Sequence, residues 1–222
     1  MADDIDITAW PVPIGAPAVL FGGTFDPPHL GHTRLADAAR NAAMPGAWLV
    51  FVPAGRNPHK ATGPAASDAD RLKMVSIASR AFERTAVWTD EVDRAKAGEP
   101  SFWRETLDRL SIVRGSLDRV RFLIGADQAV AFHRWRDARG VLDLCEPVVM
   151  PRGEVASPGA LIAELGATGF WTQEELDAWG RRFVAIPPLA VSSTAVRSGG
   201  GADSLDPGVA AFIRERGLYA NR

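Results

Sequence analysis

The sequence predicts an α/β protein built on a doubly wound, mostly parallel sheet. Three observations carry this. Short apolar runs of strand length alternate with segments whose apolar residues recur at helical spacing. The links from a run to the next helical segment are only a few residues long. Finally, the first run, "PAVLFGG", stops at Gly22-Gly23 and gives way within a few residues to a helical pattern, as the first βα turn of such a sheet does.

Residues 1–16, with Pro11, Pro13 and Gly15, read as an N-terminal tail, and residues 17–222 as a single domain. "PAVLFGG" is a buried strand. From His29 to about Met44, Leu30, Leu35, Ala38, Ala39 and Ala42 give a helix, and "AWLVFVP" (47–53) returns to strand composition, completing a βαβ unit. A Pro/Gly-rich loop follows. Ser67 and Asp70 then stand at capping-box spacing before a helix carrying Leu72, Val75 and Ile77.

"TAVWTD" (85–90) reads as a short strand, "SFWRETLDRLSIV" (101–113) as a helix and "RVRFLIG" (119–125) as a strand ending at a glycine. "PVVMPRG" (147–153) and "RRFVAIP" (181–187) supply a fifth and a sixth strand, separated by helices near 158–165 and 172–180, the second with Thr172 and Glu175 at capping-box spacing. Asp206 caps a last helix, Pro207 suits its first turn, and Gly217 ends it.

At 222 residues, with 46% hydrophobic and 23% charged residues, the chain has the composition of a globular domain. Its net charge of -2 is spread without a basic stripe, which argues against a nucleic-acid partner. The single cysteine, Cys145, allows no internal disulfide and reads as a small buried hydrophobe. The acidic "MADDIDITAW" lacks the basic flank and apolar run of a secretory signal, and no apolar stretch is long enough to span a bilayer, so the expected location is cytoplasmic, with no membrane partner.

The chemistry concentrates in "FGGTFDPPHLGH" (21–32). Gly22 and Gly23 let backbone N–H groups approach an anion, and the helix that follows aims its positive end into the same space. His29 and His32, at i and i+3, share a face that Gly31 keeps open. Two imidazoles there suit a metal or a phosphate. Zinc needs a third protein ligand, which the spacing of His59 and His133 does not provide, so no protein metal site is expected and phosphate fits better. Beside a polyphosphate both rings would be protonated donors. Late in the chain, Ser192, Ser193 and Thr194 offer hydroxyls at a helix start, with Arg197 one turn on to hold an oxyanion.

"GGTFDPPHLGH" resembles the signature of the H-x-G-H nucleotidyltransferases, and in its full form that of the nicotinate mononucleotide adenylyltransferases. "VSSTAVR" (191–197) is similar to that family's I-S-S-T-x-I-R segment, "NPHK" (57–60) to its P-P-H-K loop, and "SFWRETL" (101–107) to its S-Y-T-x-x-T-L helix start. "FLIGAD" with Trp135 resembles G-A-D…W, and "FIRERGLY" (212–219) the closing helix. The resemblance runs from about Ala18 to Tyr219.

It implies a Rossmann-like nucleotidyltransferase fold with a C-terminal helical ATP-binding segment. The implied reaction is adenylyl transfer from ATP, with Mg²⁺ on the triphosphate, to nicotinate mononucleotide, forming deamido-NAD and pyrophosphate. His29, His32 and Arg197 are the implied catalytic residues. Gly22, Gly23, Thr24, Phe25, Gly31, Gly125, Asp127, Ser192, Ser193 and Thr194 would hold ATP, Asp127 through the ribose hydroxyls. His59, Lys60, Phe102, Thr106, Trp135 and Arg152 would hold the acceptor, with Trp135 stacked on the pyridine ring.

The sequence departs from the family at Trp103, where a threonine is usual, and at Asn57, where the first proline of P-P-H-K stands. Both lie on the acceptor side and leave nicotinamide mononucleotide as the alternative acceptor. Pantetheine-phosphate adenylyltransferases and cytidylyltransferases have similar first motifs but are disfavoured by the T-F-D-P-P-H and S-S-T segments; a silent nucleotide-binding module is opposed by the retained His29, His32, Lys60, Asp127 and Arg197. "KMVS" (73–76) echoes the K-M-S-K motif of aminoacyl-tRNA synthetases, but it falls inside an amphipathic helix and is set aside. The carboxylates Asp90, Glu91 and Asp93, followed by Arg94, read as a solvated loop. Oligomeric state is open.

Overall fold

The computed structural model describes residues 8–55, 63–96, 98, 101–187, 193–198 and 202–220. Five strands, β1 (Ala18–Gly23), β2 (Trp48–Pro53), β3 (Thr85–Val87), β4 (Val120–Gly125) and β5 (Glu146–Met150), form one sheet in the order β3-β2-β1-β4-β5. Every neighbouring pair is parallel. The chain starts at the central strand, winds outward through β2 and β3, then crosses to the other side of β1 for β4 and β5. That reversal places a crevice between the carboxyl ends of β1 and β4, where open sheets of this kind bind ligands.

Both faces of the sheet are covered, and the strand residues divide accordingly. In β1, Ala18 and Leu20 join one cluster, while Val19 and Phe21 join the other. Helices α1 (Leu30–Ala43) and α2 (Asp68–Ser79) cover the Phe21 face with Leu35, Ala36, Ala39 and Val75. The Leu20 face packs against α4 (Trp103–Arg114), α5 (Ala126–Val130), α6 (Ala138–Leu144), α7 (Pro158–Ala167) and α8 (Gln173–Arg181). A smaller cluster joins α2 to the closing helix α10 (Pro207–Arg216) through Met74, Ala78 and Val209. "KMVS" lies within α2, with Met74 and Val75 buried as ordinary core.

The anticipated caps are present. Ser67 Oγ accepts from Asp70 N, Thr172 and Glu175 complete a capping box, and Asp206 accepts from the amides of Gly208 and Val209. The sixth strand is corrected to a single bridge. Phe183 pairs with Val149, after which Ile186 N turns back to Val184 O, and Pro187 has no N–H with which to extend a ladder. Cys145 is buried, and desolvation pushes its thiol up to about 12.

The loop expected after β3 is instead a short helix, α3 (Asp90–Ala95), in which Asp90 and Glu91 are buried and Asp93 alone of the three carboxylates keeps substantial exposure. Asp90 is fully buried and accepts from both Arg94 and Arg109, while Glu91 is 4% exposed. A carboxylate run is read as solvent-facing because burial of an unpaired charge is costly; here, besides Arg94 on the same helix, Arg109 and Thr106 of α4 come in from fifteen or more residues away. The N-terminal segment packs on the same helix. Thr8 donates to Asp93, its carbonyl accepts from Trp88 Nε1, and Trp10 meets Trp88 edge-on at 5.3 Å.

Candidate active site

A cavity of about 410 Å³ opens at the β1/β4 crevice. Its walls bring together Gly22 and Gly23 from β1, His32 from α1, Gly125 and Asp127 from the β4-α5 junction, Trp135, Arg152, and Phe102 at the head of α4. Sequence-distant residues expected on both sides of a reaction therefore share one space.

The glycines are required by what lies against them. A Cβ on Gly22 would stand 2.7 Å from Trp103 Cζ3, and one on Gly23 would stand 2.9 Å from the Phe25 ring. Phe25 has φ +49°, the left-handed region that non-glycine residues rarely adopt. Its ring is buried edge-on to Phe21, Phe51 and His32, so its side chain belongs to the core beneath the loop and not to the cavity wall. Gly125 plays a similar part, since a Cβ there would meet Asp127 Oδ1 at 2.5 Å. Its absence lets the exposed Asp127 carboxylate fold back over the strand end.

His29 caps α1, its carbonyl accepting from the amides of His32 and Thr33. The His29 amide in turn donates to His32 Nδ1 at 3.2 Å, which leaves the His32 ring proton on Nε2. The two rings stack with centroids 3.7 Å apart. His32 is on the cavity wall; His29 is 1% exposed beneath it, with both ring nitrogens lacking a hydrogen-bond partner. Burial first, and the charge of Arg152 second, push His29 down to about 4. Without phosphate charge beside it, the ring is therefore neutral at pH 7. Gly31 is buried and is not on the cavity wall.

The loop 24–27 is held through its carbonyls. Arg71 donates to Thr24 O at 2.7 Å, Arg197 to Asp26 O at 2.6 Å and Ser193 to Pro27 O at 3.0 Å. The Asp26 side chain accepts from the amides of Ala65 and Ala66 and from Tyr219 Oη. Ser193, Thr194 and Arg197, on α9 (Ser193–Arg197), are thus brought to the signature loop, where Arg197 also donates to Thr194 Oγ1, but they are not on the cavity wall. Thr24 is likewise beside the cavity and not on its wall. Ser192, His59 and Lys60, and the departure at Asn57, lie outside the described residues.

Thr106 does not reach the cavity. It is fully buried one turn inside α4, donating to Glu91 Oε1 at 2.7 Å and accepting from Arg94. Several wall residues escape sequence reasoning: Glu91, Ser101, Gln128 and Arg136, together with Trp103, noted only as a departure. Arg136 lies 4.8 Å over the Phe102 ring and pairs with Glu105 at 2.9 Å. Glu91 is pushed up to about 7, mainly by burial, against the lowering effect of the Thr106 and Ser101 hydroxyls and Arg94.

Glycine amides, an Nε2 donor and a guanidinium suit an anion; an exposed carboxylate suits hydroxyls; two indoles suit a flat ring. Among the described residues no group of three or more His, Cys, Asp or Glu could hold a metal ion, and no helix is long and apolar enough to cross a membrane.

Comparison with known proteins agrees with this chemistry. The profile of the cytidylyltransferase-like family matches residues 20–199. A protein of Chromobacterium violaceum named nicotinate-nucleotide adenylyltransferase is 36% identical over 90% of this chain and 97% of its own. One of the same name from Pseudomonas aeruginosa is 38% identical over 81% of this chain and 83% of its own. Among solved structures, the Plasmodium falciparum nicotinic acid mononucleotide adenylyltransferase complexed with NaAD superposes with a TM-score of 0.66. It is 15% identical and covers 93% of this chain and 98% of that one, a likeness of fold.

Proposed function

From the premise that this chain belongs to the nicotinate-nucleotide adenylyltransferases, within the cytidylyltransferase-like family, we propose how its own residues carry out adenylyl transfer from ATP to nicotinate mononucleotide. The product is deamido-NAD, with pyrophosphate released, in NAD biosynthesis; the place of action is the cytoplasm. The observation that carries the reading is the convergence of the Gly22-Gly23 turn, His32, Asp127, Trp135 and Arg152 on one cavity at the β1/β4 crevice.

The acceptor phosphate is already an anion, so it needs no general base. An acceptor oxygen forms a bond to the α-phosphorus of ATP in line as the bond from that phosphorus to the bridging oxygen of pyrophosphate breaks. Catalysis is then positioning and charge stabilisation. The amides after β1 and the amino end of α1 receive the phosphates, and His32 Nε2–H donates to them as negative charge builds on the leaving group. His29 holds His32 in that tautomer through its backbone amide. Its own ring is held neutral mainly by burial, and polyphosphate charge beside it would oppose the second cause, Arg152, and raise its affinity for a proton.

Asp127 accepts from ribose hydroxyls, Arg152 offsets phosphate charge, and Trp135 stacks on the pyridine ring of the acceptor. Arg197 and Ser193 act through the loop they brace. Mg²⁺ arrives as part of the Mg²⁺-ATP substrate, where it would neutralise triphosphate charge.

The test is pyrophosphate release from Mg²⁺-ATP with nicotinate mononucleotide and nicotinamide mononucleotide offered separately at equal concentration. A clear preference for the first is expected. Preference for the second would transfer the acceptor assignment to the amide, and silence with both would refute the reading.

A further inference from the structure

We propose that Glu91 is a positioning residue for the acceptor's ring substituent: from the cavity wall it fastens the Ser101–Trp103 turn to α4, and as a carboxylate it opposes an anionic substituent there. This rests on the acceptor reading above. Glu91 is the second residue of α3 and shares the wall with Ser101, Phe102 and Trp103. It accepts from the Thr106 hydroxyl of α4 at 2.7 Å, and the Ser101 hydroxyl at the start of the turn shares the wall with it and favours its charged form. The loop following β2 is pressed so close that a Cβ on Gly55 would stand 2.2 Å from the Glu91 carbonyl oxygen, so α3 and that loop cannot shift independently.

The charges around Glu91 are unevenly shared. Asp90, beside it on α3, takes Arg94 and a two-pronged contact from Arg109 of α4. Glu105 takes Arg94 and Arg136. Glu91 itself is bonded to hydroxyls, with Arg94 reaching it through Thr106. The cavity wall also carries Arg136, Arg152, Asp127 and His32. Burial without a directly bonded cation brings the carboxyl to about 7, so it exchanges between acid and anion near neutrality. Below that pH it is a neutral acid that can donate one hydrogen bond; above it, a negative charge on the wall.

Nicotinate carries a carboxylate on its ring and nicotinamide an uncharged amide, while both mononucleotides carry the same phosphate. The ratio of their KM values therefore cancels the titration of the acceptor phosphate and of any group that acts on the phosphates alone. With saturating Mg²⁺-ATP, the KM of nicotinate mononucleotide relative to that of nicotinamide mononucleotide should rise about three- to tenfold from pH 6 to 8.5. Where the amide turns over slowly, its competitive inhibition constant replaces its KM. Glu91→Gln keeps an acceptor for both hydroxyls and should flatten the ratio.

A flat ratio in the wild-type protein, or a slope that survives in folded Glu91→Gln, would overturn the assignment. Should that variant not fold, calorimetry on the wild-type protein at pH 7.5 in two buffers of different ionisation enthalpy decides. Binding of nicotinate mononucleotide should take up more protons than binding of nicotinamide mononucleotide, and equal uptake would be fatal. Absence of turnover with both acceptors would instead count against the proposed function.

Discussion

Tyr219 Oη donates to Asp26 Oδ1 at 2.7 Å, joining two residues 193 positions apart and tying the end of α10 to the loop that precedes the histidines. The Asp26 carboxylate is buried and also accepts from two backbone amides, so the phenol completes its coordination. Burial, then the neighbouring carboxylate, pushes the Tyr219 hydroxyl well above its ordinary range, and it stays a donor throughout the working pH. Tyr219→Phe should cost about 1–2 kcal/mol, a fall of a few degrees in Tm, with a raised KM for ATP. An unchanged melting curve would show that the contact does not hold the loop.

His32 presents its Nε2 proton from the wall and packs edge-on to Phe25. His32→Ala should lower kcat by about two to three orders of magnitude with the circular dichroism spectrum retained. Near-normal turnover in a folded variant would remove His32 from the mechanism.

Stability should respond to pH through two groups of opposite sign. Glu91 titrates at about 7 against an ordinary 4.5, so between those values the native protein binds more protons than the unfolded chain and loses stability as pH rises. His29 titrates at about 4 against 6.5, binds fewer protons when folded, and gains stability as pH rises. From pH 4.5 to 6.5 the two oppose. Relative to wild type, Glu91→Gln should steepen the increase in unfolding free energy with pH by up to about 1.4 kcal/mol per pH unit, measured by urea denaturation at pH 5, 5.5, 6 and 6.5. Parallel wild-type and variant slopes would contradict the burial assigned to Glu91.

Gly22→Ala should place a methyl against the Trp103 ring, which is itself backed by Phe122 at 5.7 Å. A loss of about 1–3 kcal/mol and weakened acceptor binding are expected. Trp103→Thr should relieve most of that loss, so the double-mutant cycle will be strongly non-additive. Additivity would mean that the two residues do not share the space.

Much of this was legible in the sequence where the signal is local. The glycine pair after an apolar run, the Ser67, Thr172 and Asp206 caps and the alternation of strands with helices all depend on residues within a turn of one another. Partnership across the chain was not legible. Asp90 and Glu91 look like a solvent face until Arg109 and Thr106 are known to lie against them, and Asp26 looks like one more loop residue until Ala65, Ala66 and Tyr219 converge on it. Thr106 carries a motif position into the interior, while the ring of Trp103, at a position the motif gives to threonine, occupies the wall. Arg71 had no signal at all: it reads as the polar side of α2 yet is fully buried, reaching Thr24.

Of the seven tryptophans, Trp103 and Trp135 are on the cavity wall. Trp88 and Trp179 are fully buried elsewhere, and Trp10, Trp48 and Trp171 also lie off that wall. Indole emission is sensitive to an aromatic ring laid against it, so the molecule carries two built-in optical reporters over a constant background of five. Replacing Trp103 or Trp135 singly by phenylalanine would divide the signal between them, giving a label-free titration that says which wall a ligand touches and in what order.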